Sequence, residues 1–274
     1  MTPDELVMLL QLTSDTEQAV HGRLRTDLPA VQTCAERAYE GDAPDYPICA
    51  LDPLERLCAL IVLLAEKYDA YRAAGAPDEM VIDTFRDVSL RSRLYGEKHG
   101  APGISSDDAL WFRHLAHVAM FKIGSLQFQP FEMVYLDEET VGEPYMAYEQ
   151  GCKETLPAGA PVLNCHIQAG ADLQPAAVEG SLRRAREFFS AHGTADYQAF
   201  LCYSWLIYPP MVGRLPKTSN IYNFAKRFKV IGRCDDAEQA KEDLHITGRT
   251  GTSLQRMAYE HPELLGMACG VITL

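Results

Sequence analysis

The sequence predicts an α/β (α+β) protein in which an all-helical N-terminal domain, residues 1–122, precedes a mixed β-sheet flanked by helices in residues 123–274. Three observations carry this. Apolar residues recur at helical spacing from residue 3 to about residue 122. After Gly124 the pattern shortens to apolar or alternating runs bounded by Gly and Pro, which is how strands read. Helical segments recur between those runs, so strands and helices alternate.

Turn signals at residues 41–47, 75–77 and 100–106 divide the helical half. The clearest helix opens after Asp52 with Pro53 at its first position, where a missing amide costs nothing. Leu57, Leu60, Ile61, Leu64, Tyr68 and Tyr71 give it one broad apolar stripe to pack on its neighbours, and Gly75 ends it. Two more helices follow, one begun by Pro77-Asp78-Glu79 and one by Ser105-Ser106-Asp107-Asp108, where acidic groups suit the positive end of the helix dipole. Beyond Gly124 the strands are LQFQPFEMVYL, PVLNCHIQ, YQAFLCYSWLIY, RFKVIG and the terminal CGVITL. Helices are expected between them at residues 175–190, 219–227 and 253–260.

The chain has 274 residues, 47% hydrophobic and 23% charged, an ordinary globular composition with room for two domains. Its net charge of −13 argues against a nucleic-acid or anionic-membrane binder. The longest apolar stretch, residues 57–65, falls far short of the roughly 20 residues that span a bilayer. Asp4 and Glu5 stand where a signal peptide carries basic residues, so a cytoplasmic protein is expected. Eight dispersed cysteines without a C-x-x-C pair read as reduced thiols, and no metal site is expected. His114 and His117, three apart, read as a partly exposed helix face, and Asp137-Glu138-Glu139 as a solvated turn.

Charge is segmented along the second half. Residues 123–180 carry one Lys against nine acids, residues 181–233 nine bases against two acids, and residues 234–274 three bases against seven acids. The basic window, with Arg183, Arg184 and Arg186, is either a local anion site or a solvated helix face. Strand alternation puts Val162, Asn164 and His166 on one face, with Leu163, Cys165 and Ile167 on the other. It also pairs Tyr203 with Trp205, and Ser204 with Cys202 and Leu206. Cys165 and His166 therefore make a poor nucleophile and base pair.

The segments FKIGSLQFQPF, PVLNCHIQAGADLQPAAVEGSLRRAREFF, FLCYSWLIYPPM with LPKTSNIYNFAKRF, and GTSLQRMAYEH occur in the order and spacing of a known family. Over most of residues 120–274 the chain resembles the GNAT-like acyltransferase family, in bacterial proteins that join a helical N-terminal domain to a GNAT-like C-terminal one. The helix LERLCALIVLLAEKYDAYRAAGAP and the RLYGEKHG region extend the likeness upstream. The resemblance implies a GNAT-like sheet and a donor, acetyl-CoA or another acyl-CoA, held where two neighbouring strands splay apart. Its pyrophosphate would lie against a loop and helix N-terminus.

On that likeness Gln168, Ala169 and Gly170, with Arg183 and Arg184, are the pyrophosphate candidates, and Asn220 would fix the acyl-CoA arm. Helix capping by Ser219 or Asn220 explains the same residues without a ligand. His166 is the candidate base, acting directly or through a water, with Tyr203 and Ser204 completing the catalytic candidates. Two positions depart from the family pattern: Gln168-Ala169-Gly170-Ala171 does not match the usual glycine-rich signature, and Arg227 stands where many GNAT enzymes carry an acidic Tyr. The implied function is acyl transfer to a small-molecule acceptor, an amine or similar nucleophile, with oligomeric state left open. The alternative is a non-catalytic GNAT-like ligand-binding or sensing module.

Overall fold

The structure, a computed structural model, describes residues 1–137, 140, 146–244 and 251–274. They form two compact units, Met1–Lys122 and Ile123–Leu274.

In the first unit helix α1 (Pro3–Leu10) begins in a capping box between Thr2 and Glu5. Helix α2 (Ser14–Glu36) is kinked at Asp27, two residues before Pro29, whose ring cannot join the hydrogen-bond ladder. After the short α3 (Pro47–Ala50), helix α4 (Pro53–Ala73) opens as its sequence requires: Asp52 accepts from the amides of Leu54 and Glu55 at 3.1 and 3.0 Å. Gly75, at φ +88°, takes the left-handed turn that follows.

Every residue from Leu57 to Ala65 is buried, so over two turns α4 is apolar all round and not along a single stripe. Tyr71 closes this core, donating to the carbonyls of Leu115 and Met120 while its ring meets the edge of Phe85. Four helices follow where two were expected: α5 (Asp78–Phe85), α6 (Asp87–His99), α7 (Ser106–Trp111) and α8 (Arg113–Ala116). The first two are parted only by Arg86 and the last two only by Phe112, breaks too brief to register in an apolar period.

The second unit carries strands β1 (Phe121–Ile123, crossing the boundary), β2 (Leu126–Glu132), β3 (Ala147–Tyr148), β4 (Pro161–His166), β5 (Ala199–Ser204), β6 (Lys229–Cys234) and β7 (Met267–Thr273). They form one mixed sheet in the order β1-β2-β4-β5-β7-β6-β3. Only β4 and β5 are parallel among the registered pairs, joined by the crossover helix α10 (Pro175–His192); α9 (Cys152–Thr155) lies earlier in the chain. β1 and β3 have three and two residues, too few for alternation to show in sequence.

One sheet face packs Val162, Ala199, Leu201, Ile231 and Cys269 against Met133, Tyr135 and Leu156. The opposite face carries Phe128 and Phe200, whose ring centroids lie 5.5 Å apart. Helix α10 turns Val178, Leu182, Ala185 and Phe189 inward as an amphipathic helix should. Gly270 of β7 lets this layer close: a Cβ there would sit 2.7 Å from Ile207 and 2.8 Å from Phe228. Trp205 is not on the strand with Tyr203. It starts a 3₁₀ turn (Trp205–Ile207), where its indole donates to Asp243 at 2.8 Å. Helices α11 (Pro209–Val212), α12 (Asn220–Ala225), α13 (Glu238–Leu244) and α14 (Ser253–Glu260) complete the unit. No helix among the described residues is long and apolar enough to cross a membrane.

Candidate active site

The two parallel strands at the middle of the sheet part company. β4 and β5 pair as Val162 with Ala199, Leu163 with Phe200 and Asn164 with Leu201, and there the register ends. β4 nevertheless stays on β2 as far as His166, opposite Gln127, and β5 stays on β7 as far as Ser204, opposite Ala268. Beyond Asn164 the facing edges of Cys165–His166 and Cys202–Ser204 therefore form no ladder with one another. Backbone groups along such an edge seek a partner, and an extended chain bearing amides can supply one.

A polar row borders this opening on one face. Gln127 and Gln129 of β2 stand directly opposite His166 and Asn164 of β4, and Gln127, Gln129 and Asn164 are all buried. His166 Nε2 lies 3.1 Å from Gln129 Oε1. A carbonyl oxygen only accepts, so Nε2 is the donor in this contact. Asn164 Oδ1 is buried with no hydrogen-bond partner among the described residues.

Tyr203 shares this face, but its hydroxyl donates to the Val134 carbonyl, and burial beside Cys269 and Tyr148 drives the phenol far above its ordinary pKa. It borders the opening as a neutral phenol. Ser204 is not brought to His166: it points to the opposite face, where its hydroxyl accepts from Leu206 N at 3.1 Å and starts the 3₁₀ turn.

On that opposite face β4 runs into the loop of residues 167–174. Gly170 takes φ +75°, and Ala171 N donates to the Gln168 carbonyl at 3.1 Å, a tight turn that leaves Ala169 and Gly170 exposed. Helix α10 then opens at Pro175 with neither a side-chain cap nor an acid in its first turn. Its first amides and positive dipole end thus remain available to an anion. Arg227 lies beside this turn, donating to the Pro175 carbonyl at 3.1 Å and pairing with Glu179.

The structure does not bring Arg183 and Arg184 to this turn. At about 1.5 Å per residue they lie roughly 12 Å along α10 from Pro175. Arg183 pairs with Glu187 at 2.9 Å and faces a cavity of about 380 Å³ with Leu182, Arg186, Phe200 and Arg227. Arg184 folds the other way, over Gly124, whose φ of +71° and lack of Cβ make room for the guanidinium. Asn220 is exposed at the first position of α12, and Ser219 holds the cap position without a side-chain bond, so neither residue caps through its side chain.

Of this arrangement the sequence does not single out Gln129, and it offers Asn164 only as a face neighbour of His166 and Arg227 only as a departure from the family pattern. The glutamines of LQFQ alternate on an apolar strand as Asn164 and His166 do, and that shared period was the available signal. Elsewhere, His117 Nδ1 lies 2.8 Å from the Arg113 carbonyl, and no group of three or more candidate metal ligands exists among the described residues. Asp137 pairs with Lys153 at 2.7 Å, whereas Glu138 and Glu139 lie outside the described residues.

Two family models match the chain in tandem: an N-acyltransferase N-terminal domain over residues 1–118 and a GNAT-like C-terminal domain over residues 120–262, more than half of the sequence. The chain belongs to the GNAT-like family. No curated protein matches it significantly. Among solved structures, the GNAT-like chain is similar to an acyltransferase crystallised with decanoyl-CoA and teicoplanin, at TM-score 0.73 and 19% identity over 98% of this chain and 87% of that one. It is likewise similar to a variant acyltransferase crystallised with octanoyl-CoA, at TM-score 0.72 and 18% identity over 98% and 87% of the two chains. An acyltransferase crystallised with decanoyl-CoA alone matches at TM-score 0.72 and 19% identity, over 98% and 86%. The fold is that of these acyltransferases.

Proposed function

We propose that the protein transfers an acyl group from acyl-CoA to a small amine or similar nucleophile. The observation that carries the reading is the parting of β4 and β5 after Asn164, with an uncapped helix N-terminus on one side and a buried polar row on the other. The similar acyltransferases hold decanoyl-CoA and octanoyl-CoA, and one holds teicoplanin, which supports a CoA thioester as donor and a small molecule as acceptor.

The amides of the first turn of α10, the turn at Gln168, Ala169 and Gly170, and the Arg227 guanidinium would take the pyrophosphate. Arg183 and Arg184, farther along the helix, would contribute only longer-range positive potential there. Asn220, on the same side of the sheet, would meet the pantetheine arm. The thioester supplies an activated acyl carbon. His166, oriented by Gln129, would accept the proton that the attacking amine gives up as its nitrogen bonds to that carbon. The carbon–sulfur bond breaks, and a thiolate of ordinary basicity departs without a dedicated acid. Tyr203, already donating to Val134, and Ser204, on the other face, have no proton to move in this scheme.

A non-catalytic binding module is favoured by one observation, the Arg227 that stands where a GNAT Tyr acid is usual. Isothermal titration with acetyl-CoA and decanoyl-CoA, followed by turnover with an amine panel, separates the readings. Saturable turnover that falls at least about a hundredfold in His166→Ala, with donor affinity unchanged, is expected for general-base catalysis. Binding without turnover for any amine leaves the binding module, and no binding of either thioester ends the acyl-transfer reading and favours a non-catalytic module for another ligand.

A further inference from the structure

Asn164 is 7% exposed and sits at the vertex of the parting strands, on the last residue of β4 that pairs with β5. Its Oδ1 is shut away from solvent without a hydrogen-bond donor among the described residues. An unmet buried acceptor costs stability, and an apolar side chain of the same shape would avoid that cost. The neighbouring polar groups do not share this condition: Gln129 and His166 are bonded to each other. Val162, two residues back on the same face, is part of the apolar core, so the strand itself does not call for polarity here.

We infer that Asn164 is a donor-binding residue whose side-chain oxygen accepts a hydrogen bond from an amide N–H of the pantetheine arm. The inference rests on the acyl-CoA reading and deepens it. With phosphates held at the start of α10 on one face and His166 on the other, the arm passes through the opening beside Asn164. That arm carries two secondary amides, and a side-chain amide is their complement because it accepts through Oδ1 and donates through Nδ2. A phosphate-bearing fragment that lacks the arm never reaches this position.

The test compares decanoyl-CoA with adenosine 3′,5′-bisphosphate by isothermal titration on the full chain and on Asn164→Leu. Asn164→Leu is expected to bind decanoyl-CoA at least about tenfold more weakly, as for loss of one well-made hydrogen bond in a dry site, while the bisphosphate binds unchanged. Its thermal midpoint is expected to hold or rise, because the unmet acceptor is gone. Should Asn164→Leu fail to fold, the Asn164 side-chain amide resonances of the wild type decide the matter, assigned against Asn164→Ser: they shift on adding decanoyl-CoA and stay still with the bisphosphate. Unchanged decanoyl-CoA affinity in the variant, or unmoved resonances beside intact wild-type binding, overturns this inference alone. Failure of the wild type to bind any acyl-CoA overturns the acyl-CoA reading and this inference with it.

Discussion

Burial lowers the pKa of His114 to about 4, and the nearby charges of Arg113 and His117 push the same way. The folded state therefore takes up this proton later than the unfolded chain, whose histidine titrates near 6.5. Stability supplied by the neutral ring is complete above pH 6.5, declines as the pH falls, and is gone below about 4. The thermal midpoint is expected to drop across that window, and His114→Gln should flatten the drop; an equal slope in the variant would assign it to other groups. At the same scale, strand alternation alone was enough to put Asn164 and His166 on one face. It could not find the Val134 carbonyl that holds Tyr203, because that acceptor lies 69 residues away in sequence and belongs to no motif.

Helix α4 shows which elements announce themselves. Asp52 followed by Pro53 is a local signal, and Asp52 accepts from two amides. Asp52→Ala is expected to cost about 1 kcal/mol in urea unfolding while leaving donor binding unchanged. A loss below a few tenths would mean that water caps the helix equally well. Five strands and three of the helices of the second half were readable because each is long enough to display its period. The remainder was set by distant partners. The all-round burial of residues 57–65 depends on helices on every side, and the end of β5 at Ser204 depends on a hydroxyl that folds back on Leu206. The departure of β4 from β5 leaves no mark in either strand, since each keeps a regular partner on its outer edge.

Across the whole molecule, a net charge of −13 repels an anionic ligand except where the basic window of residues 181–233 is displayed. The fold distributes that window between the flank of α10, with Arg183 and Arg186, and its first turn, where Arg227 is tied to Pro175 and Glu179. Under the acyl-CoA reading the first turn serves as the local anion site and the flank as the solvated face. Under the acyl-CoA reading, Arg227→Ala should weaken decanoyl-CoA binding about tenfold at low salt and less at 0.5 M, because salt already screens the lost charge. An equal loss at both concentrations would point to a displaced helix start and not to charge.

Among the described residues, the three residue pairs between β4 and β5 join two ribbons, β1-β2-β4 and β5-β7-β6-β3. Within each ribbon a side chain answers to the strand beside it. Across the seam only Val162, Leu163 and Asn164 are matched to Ala199, Phe200 and Leu201. Mutational drift beyond those positions meets no ladder partner across the seam, and is answered there only by face contacts such as Phe128 on Phe200 and Tyr203 on Val134. A lineage built on this sheet can reshape one lip of the opening without breaking a backbone ladder on the other.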